Sequence, residues 1–260
     1  MPWAVVLRSF ARAPWPLLFA SAGCGLILSA YAAGQATLPA FCGAAAWLLR
    51  ASDWPDALEL VLGLNPPARL AADWALMLLA MMPPLLAVPL MHVWRSSLPR
   101  RRPRALLHFI LAYGFVWMMA GPVLIALALL LQLLTGEAGM ALAGALLLAG
   151  VWSASPWQRA ALNYSHRLTR IGLFGWAADR ECLTFGVVHA AWCIASCWAW
   201  MLVPLAAGRW HIPAMIFAAA MMLADRLAAP MPARWRWPAY FSFFDRQPIF
   251  APRHSELRHG

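Results

Sequence analysis

His189, Cys193, Cys197 and Met201 follow one another at intervals of four residues. That spacing puts their side chains on one face of a helix. Imidazole, two thiols and a thioether are donors for soft metal ions. Thiolate and thioether together favour copper(I), and the thiolates alone also suit zinc. The stripe lies in an apolar run long enough to cross a bilayer, where polar groups persist only with partners. A second segment carries Asp73, Met77 and Met81 at the same spacing. Counted from the outer ends of two antiparallel spans, Met77 falls near the depth of Cys197 or Met201, and Met81 near that of Cys193. Met118 and Met119 of a third span lie at a comparable depth. The expected metal site therefore comprises His189, Cys193, Cys197, Met201, Met77 and Met81, with copper as the favoured ion and zinc as the alternative.

Each of these residues has a plainer use. Methionine fills gaps in cores, and free cysteine packs as a small hydrophobe; the reading rests on the four-membered stripe, not on any one side chain. His92, His108 and His189 form a second group at similar depth, either an extension of an ion path or a separate site. Five cysteines do not make a disulfide framework here, because Cys193 and Cys197, four apart on one helix, need a distorted helix to bond. No phosphate-binding loop, dinucleotide fingerprint, zinc-protease helix or CxxC pair occurs. The chain is read as non-enzymatic.

The elements that must position the stripe follow from composition. Of 260 residues, 63% are hydrophobic and only 12% charged, more apolar surface than a soluble domain can hide. The expected fold is all-α, a polytopic membrane helix bundle embedded in a lipid bilayer. Six segments can span: about Trp15 to Ala33, Leu70 to Val93, Ala105 to Leu131, Ala138 to Val151, Leu183 to Leu205, and Ile212 to Ala229. The first is a signal anchor, since no cleavage site follows it. Every basic residue is arginine, and seventeen of the twenty fall in alternate connections. Those connections are cytoplasmic by the positive-inside rule, as are both termini. The net charge of +10 thus reports topology and not a nucleic-acid partner. Trp15, Trp74, Trp94, Trp152, Trp157 and Trp210 lie near span ends, where indole rings prefer to sit.

Residues 1–229 form the single bundle. Within them, 34–69 is an external interfacial segment capping it, with a short helix over Pro55 to Leu64. Residues 230–260 form a cytoplasmic interfacial tail, rich in arginine, proline and aromatics, that meets anionic headgroups. Ser21, Gly25, Ser29 and Ala33, and likewise Ala141, Ala145 and Ala149, make small-residue stripes that let helices approach closely. Pro83-Pro84 removes backbone donors and predicts a kink. Asp73 and Asp225 sit near span ends, where water or an arginine partner is expected.

Several pieces taken in order resemble a known family. They are Trp74, Ala80-Met81-Met82 and Pro83; Tyr113 with Trp117; Pro156 and a short basic loop ending in Arg167; Cys193-x-x-x-Cys197-Trp198-Ala199; and Asp225-Arg226-Leu227. Over about Trp74 to Pro230 the chain resembles a bacterial family of predicted metal-binding integral membrane proteins, a domain of unknown function. Members often carry cysteines in the loop after the proline, where this chain has Ala161 and Ser165, with His166 beside them and Cys182 at the far end. The cysteine set is therefore partly degenerate. The resemblance implies a multi-pass protein of the bacterial inner membrane that binds metal. Two roles follow. One is to bind or pass a soft ion, copper above all, for delivery to a partner metalloenzyme. The other is a non-catalytic accessory subunit packed against other membrane protein subunits.

Overall fold

The computed structural model describes residues 11–34, 66–135, 138–172, 174–228 and 232–237. Helices α1 (Trp15–Gly34), α2 (Pro67–Met81), α3 (Ala87–Ser96), α4 (Arg102–Thr135), α5 (Ala138–Ala154), α6 (Pro156–Ser165), α7 (Gly175–Ala206) and α8 (His211–Leu227) succeed one another, and no strand occurs among the described residues. The all-helical expectation holds. The expected helix over 55–64, most of the 34–69 segment and most of the tail fall outside the described residues.

Three helices are long and apolar enough to cross a membrane: α1, α4 with the short turn before it, and α7. Two further crossings arise if each bent pair counts as one, giving up to five among the described residues. Helix α8 spans 17 residues, a rise of about 26 Å against a hydrocarbon core of roughly 30 Å. Of the six expected spans, three stand among the described residues as single helices and two as bent pairs, and α8 is too short to count as a sixth. Leu111, Phe115 and Val123 point outward from α4, an apolar exterior that water does not favour.

Both breaks have local causes. After Met81 the chain bends by 56°, because Pro83 and Pro84 supply no N–H to continue the ladder. A 3-10 turn bridges the gap, with Leu85 N–H donating to the Met82 carbonyl at 3.0 Å. The kink expected there is present. The second bend, 69°, separates α5 from α6. Ser155 caps α6, its Oγ accepting from Gln158 N–H at 3.2 Å, and Pro156 takes the first helical position, where a missing N–H costs nothing.

Helix α7 is the hub. Of its most apolar eighteen residues 61% are buried, against 22% for α1 and for α4, and it packs on α4, α5, α6 and α8. Ala141, Ala145 and Ala149 are all buried in the core. Two glycines set the closest approaches. A Cβ on Gly25 would collide with the backbone of Leu79 and Ala80 in α2, and one on Gly186 would lie 2.7 Å from the Phe109 carbonyl oxygen of α4. Helices meet this closely only where no side chain intervenes. At the arginine-rich end of α7, Asp179 joins it to the turn before α4 through Arg101 at 2.6 Å and to α4 itself through Arg104 at 2.7 Å.

Two placements differ from expectation. Trp74 is buried, not interfacial, and its Nε1–H donates to the Trp117 carbonyl at 2.9 Å. Trp94, Trp157 and Trp210 are exposed, as interface anchors would be. Asp225 is buried and accepts from Gln158 Nε2 at 2.9 Å, whereas Asp73 remains half-exposed beside Arg69.

Candidate metal centre

The whole stripe of α7 faces inward. His189, Cys193, Cys197 and Met201 are buried, because the face that Gly186 opens toward α4 continues along them. The sulfurs of Cys193 and Cys197 lie 4.0 Å apart, and both are free thiols. Ser196 turns its hydroxyl back to the Cys193 carbonyl at 2.9 Å, and its Oγ lies 3.4 Å from Cys197 Sγ.

Tyr113 of α4 connects the pair to the broken helix. Its hydroxyl donates to Met82 Sδ at 3.4 Å and lies 3.2 Å from Cys193 Sγ. A phenol has one proton; with that proton on Met82, the oxygen can take the S–H of Cys193. Met82 occupies the last position before the prolines, and the Trp74–Trp117 bond ties its helix to α4. Two sulfurs, Met82 Sδ and Cys193 Sγ, thus meet one hydroxyl carried by α4, and Cys197 Sγ lies beside the second of them.

One turn before Cys193, the His189 ring packs among Phe109, Phe185 and Tyr113. Its Nε2 is sealed from solvent and bonds to nothing among the described residues. Arg226 enters from α8. Its Nη1 donates to Ser165 Oγ at 2.5 Å, while Nε and Nη2 are sealed and make no hydrogen bond among the described residues. The guanidinium faces Cys193, Cys197 and Tyr113. His166, just beyond α6, donates from Nε2 to the Arg226 carbonyl at 3.2 Å. Burial, and next the charge of Arg226, push its imidazole below the ordinary range.

Met77, Met81 and Met201 are fully buried in the same apolar core as the thiols. The thioether that shares Tyr113 with Cys193 is Met82, the neighbour of the expected Met81. Among the described residues no group of three or more His, Cys, Asp or Glu side chains is gathered closely enough to hold a metal ion. The sulfur of methionine lies outside that count. The second histidine group does not converge. His92 Nε2 bonds to the Thr169 carbonyl, His108 Nδ1 to the Arg104 carbonyl, and the Phe185 ring touches both His92 and His189. Spacing on one helix could not reveal Tyr113, Met82 and Arg226 as neighbours of the thiols, yet all three stand in the motifs that carry the resemblance. The positions matching the missing loop cysteines also turn inward, Ala161 buried and Ser165 against Arg226.

A family model described as PpoB2, copper chaperone, matches residues 71–243, about two thirds of the chain. The matched stretch takes in Met82, Tyr113, Cys193, Cys197 and Arg226. No curated protein matches, and no solved structure does.

Proposed function

The chain belongs to the PpoB2 copper-chaperone family, and on that premise we propose that it is a multi-pass protein of the bacterial inner membrane that holds copper(I) at Cys193 and Cys197 and passes it to a partner metalloenzyme. The observation that carries this reading is the inward-facing thiol pair with a thioether on the same hydroxyl. Two metal–sulfur bonds of about 2.3 Å span 4.0 Å at an angle of roughly 120°. That is the angle of a three-coordinate centre, and Met82 supplies the third soft donor once the hydroxyl yields. Two thiolates and a thioether suit copper(I), and they fall short of the four donors that structural zinc takes. His189, one turn along and with no partner for Nε2 among the described residues, offers the ion its next nitrogen. Met77, Met81 and Met201 line the surrounding core with further thioethers.

The sequence shows no ATPase element, so the hand-off is passive and runs down an affinity gradient. The apolar exterior of α4 faces lipid, and the arginine-rich ends face the cytoplasm. The test is metal content. The full chain is purified in detergent under reducing conditions and its copper and zinc are measured, beside Cys193→Ser/Cys197→Ser. About one copper per chain in the parent and none in the double variant is the expected result. Equal metal in both would end the ligand assignment and leave the accessory-subunit role, which co-purification of stoichiometric partners from native membrane would then support.

A further inference from the structure

Arg226 is unusual beyond its place near the thiols. A guanidinium cannot lose its proton in a protein; Arg226 is half-buried with Nε and Nη2 sealed from solvent, and a charge so enclosed calls for a counter-charge. Among the described residues no ion pair joins Arg226 to a carboxylate. Its neighbour in sequence, Asp225, turns instead to Gln158. Ser165 satisfies one nitrogen. The other two are sealed, and the guanidinium faces the two cysteines.

Resting on the copper reading of Cys193 and Cys197, we propose that Arg226 is the specificity-determining residue of this centre, setting the charge of the ion it accepts. Two thiolate ligands contribute −2 and Arg226 contributes +1. A monovalent soft ion brings the buried site to zero. A divalent ion of equal softness leaves it at +1, in surroundings where an unbalanced charge is costly. Donor softness alone does not reject zinc, cadmium or mercury, since thiolates bind them all, and a missing fourth donor disfavours zinc only in part. The charge of Arg226 rejects them.

The experiment compares copper(I) with zinc(II) on the full chain in detergent. Each metal is added as its salt, anaerobically for copper, and competed with a chromophoric chelator. Arg226→Gln removes the charge, and Arg226→Lys keeps it. Ser165→Asp leaves Arg226 in place but sets a carboxylate where Nη1 already bonds, so it tests the same point should Arg226→Gln not fold. The expected result is a fall in the copper-to-zinc affinity ratio on the order of a hundredfold in Arg226→Gln and in Ser165→Asp, as Coulomb's law gives for one charge a few ångströms away at intermediate dielectric. In Arg226→Lys the ratio stays within about threefold of the parent. An unchanged ratio in a folded Arg226→Gln or Ser165→Asp, while Cys193→Ser/Cys197→Ser abolishes copper binding, overturns the charge rule and leaves the copper site standing. Copper binding that survives loss of both cysteines, or is absent from the parent, overturns both.

Discussion

Replacing Gly186 by alanine tests whether the approach of α7 to α4 is what builds the centre. The added Cβ would stand 2.7 Å from the Phe109 carbonyl oxygen, 2.9 Å from Ala112 Cβ and 3.3 Å from the Tyr113 nitrogen. Non-bonded carbons rest at about 3.5–4.0 Å, so the helices must part by roughly 0.6–1 Å there. The oxygen and the nitrogen belong to the α4 backbone, which cannot rotate aside as a side chain would. Overpacking of this kind costs about 1–3 kcal/mol. Cys193 lies two turns further along α7, and its sulfur is 3.2 Å from the Tyr113 hydroxyl. Opening the interface carries that distance to roughly 4 Å, at the edge of any hydrogen bond to sulfur. Two assays read the result: unfolding in mixed micelles followed by tryptophan fluorescence, and the rate at which Cys193 reacts with a small thiol reagent. The control is Gly114→Ala on the same helix α4, where a Cβ meets nothing within 4 Å. It should be neutral or stabilising by about 0.5–1 kcal/mol. If Gly186→Ala matches that control in both assays, close helix approach does not form the site.

Tyr113→Phe removes the hydroxyl shared by Met82 and Cys193 without changing the ring. It should cost about 0.5–1.5 kcal/mol of stability and alter the rate of copper loss to a chelator; unchanged release kinetics would detach the phenol from the site. Asp179→Asn should cost about 1–3 kcal/mol in the same unfolding assay, because this carboxylate is only 4% exposed and pairs with both Arg101 and Arg104. Asp73→Asn should stay within about 0.5 kcal/mol of the parent, since Asp73 and Arg69 are 45% and 38% exposed and 4.0 Å apart.

The legible part of this molecule was the part with a regular period. Four-residue spacing on an unbroken helix assigns a face, so the inward stripe of α7 and the buried alanines of α5 could be read directly. The kink at Pro83-Pro84 was legible because proline removes a donor wherever it sits. What escaped depended on how one element meets another. Trp74 and Arg226 lie near ends of apolar runs, where an indole or a guanidinium ordinarily turns to the interface. Here Trp74 finds the Trp117 carbonyl on α4, and α6 folds back to enclose Arg226 with Ser165. Asp225 was read as an end residue for the same reason, and Gln158 of α6 is what makes its burial affordable. The choice of Met82 over Met81 lay beyond periodicity, because only the position of the Tyr113 hydroxyl on α4 decides which of two adjacent thioethers it meets.

Both breaks therefore border the centre. Met82 still follows the α-helical repeat, its N–H bonded to the Leu78 carbonyl at 2.9 Å. The 3-10 turn that follows sends α3 off at 56°, so Met82 stands at the corner beside the Tyr113 hydroxyl. A straight extension of α5 would carry α6 away from the bundle, and Ser165 and His166 with it. The 69° bend turns them onto α8 instead. The long helices α4 and α7 deliver the phenol and the thiols by plain periodicity. The Met82 thioether arrives at the last helical position before the first corner, and the residues that enclose Arg226 arrive through the second. In a bundle with so few polar groups, the places where the helical ladder fails are where other chemistry can enter, and here both open toward the same pair of sulfurs.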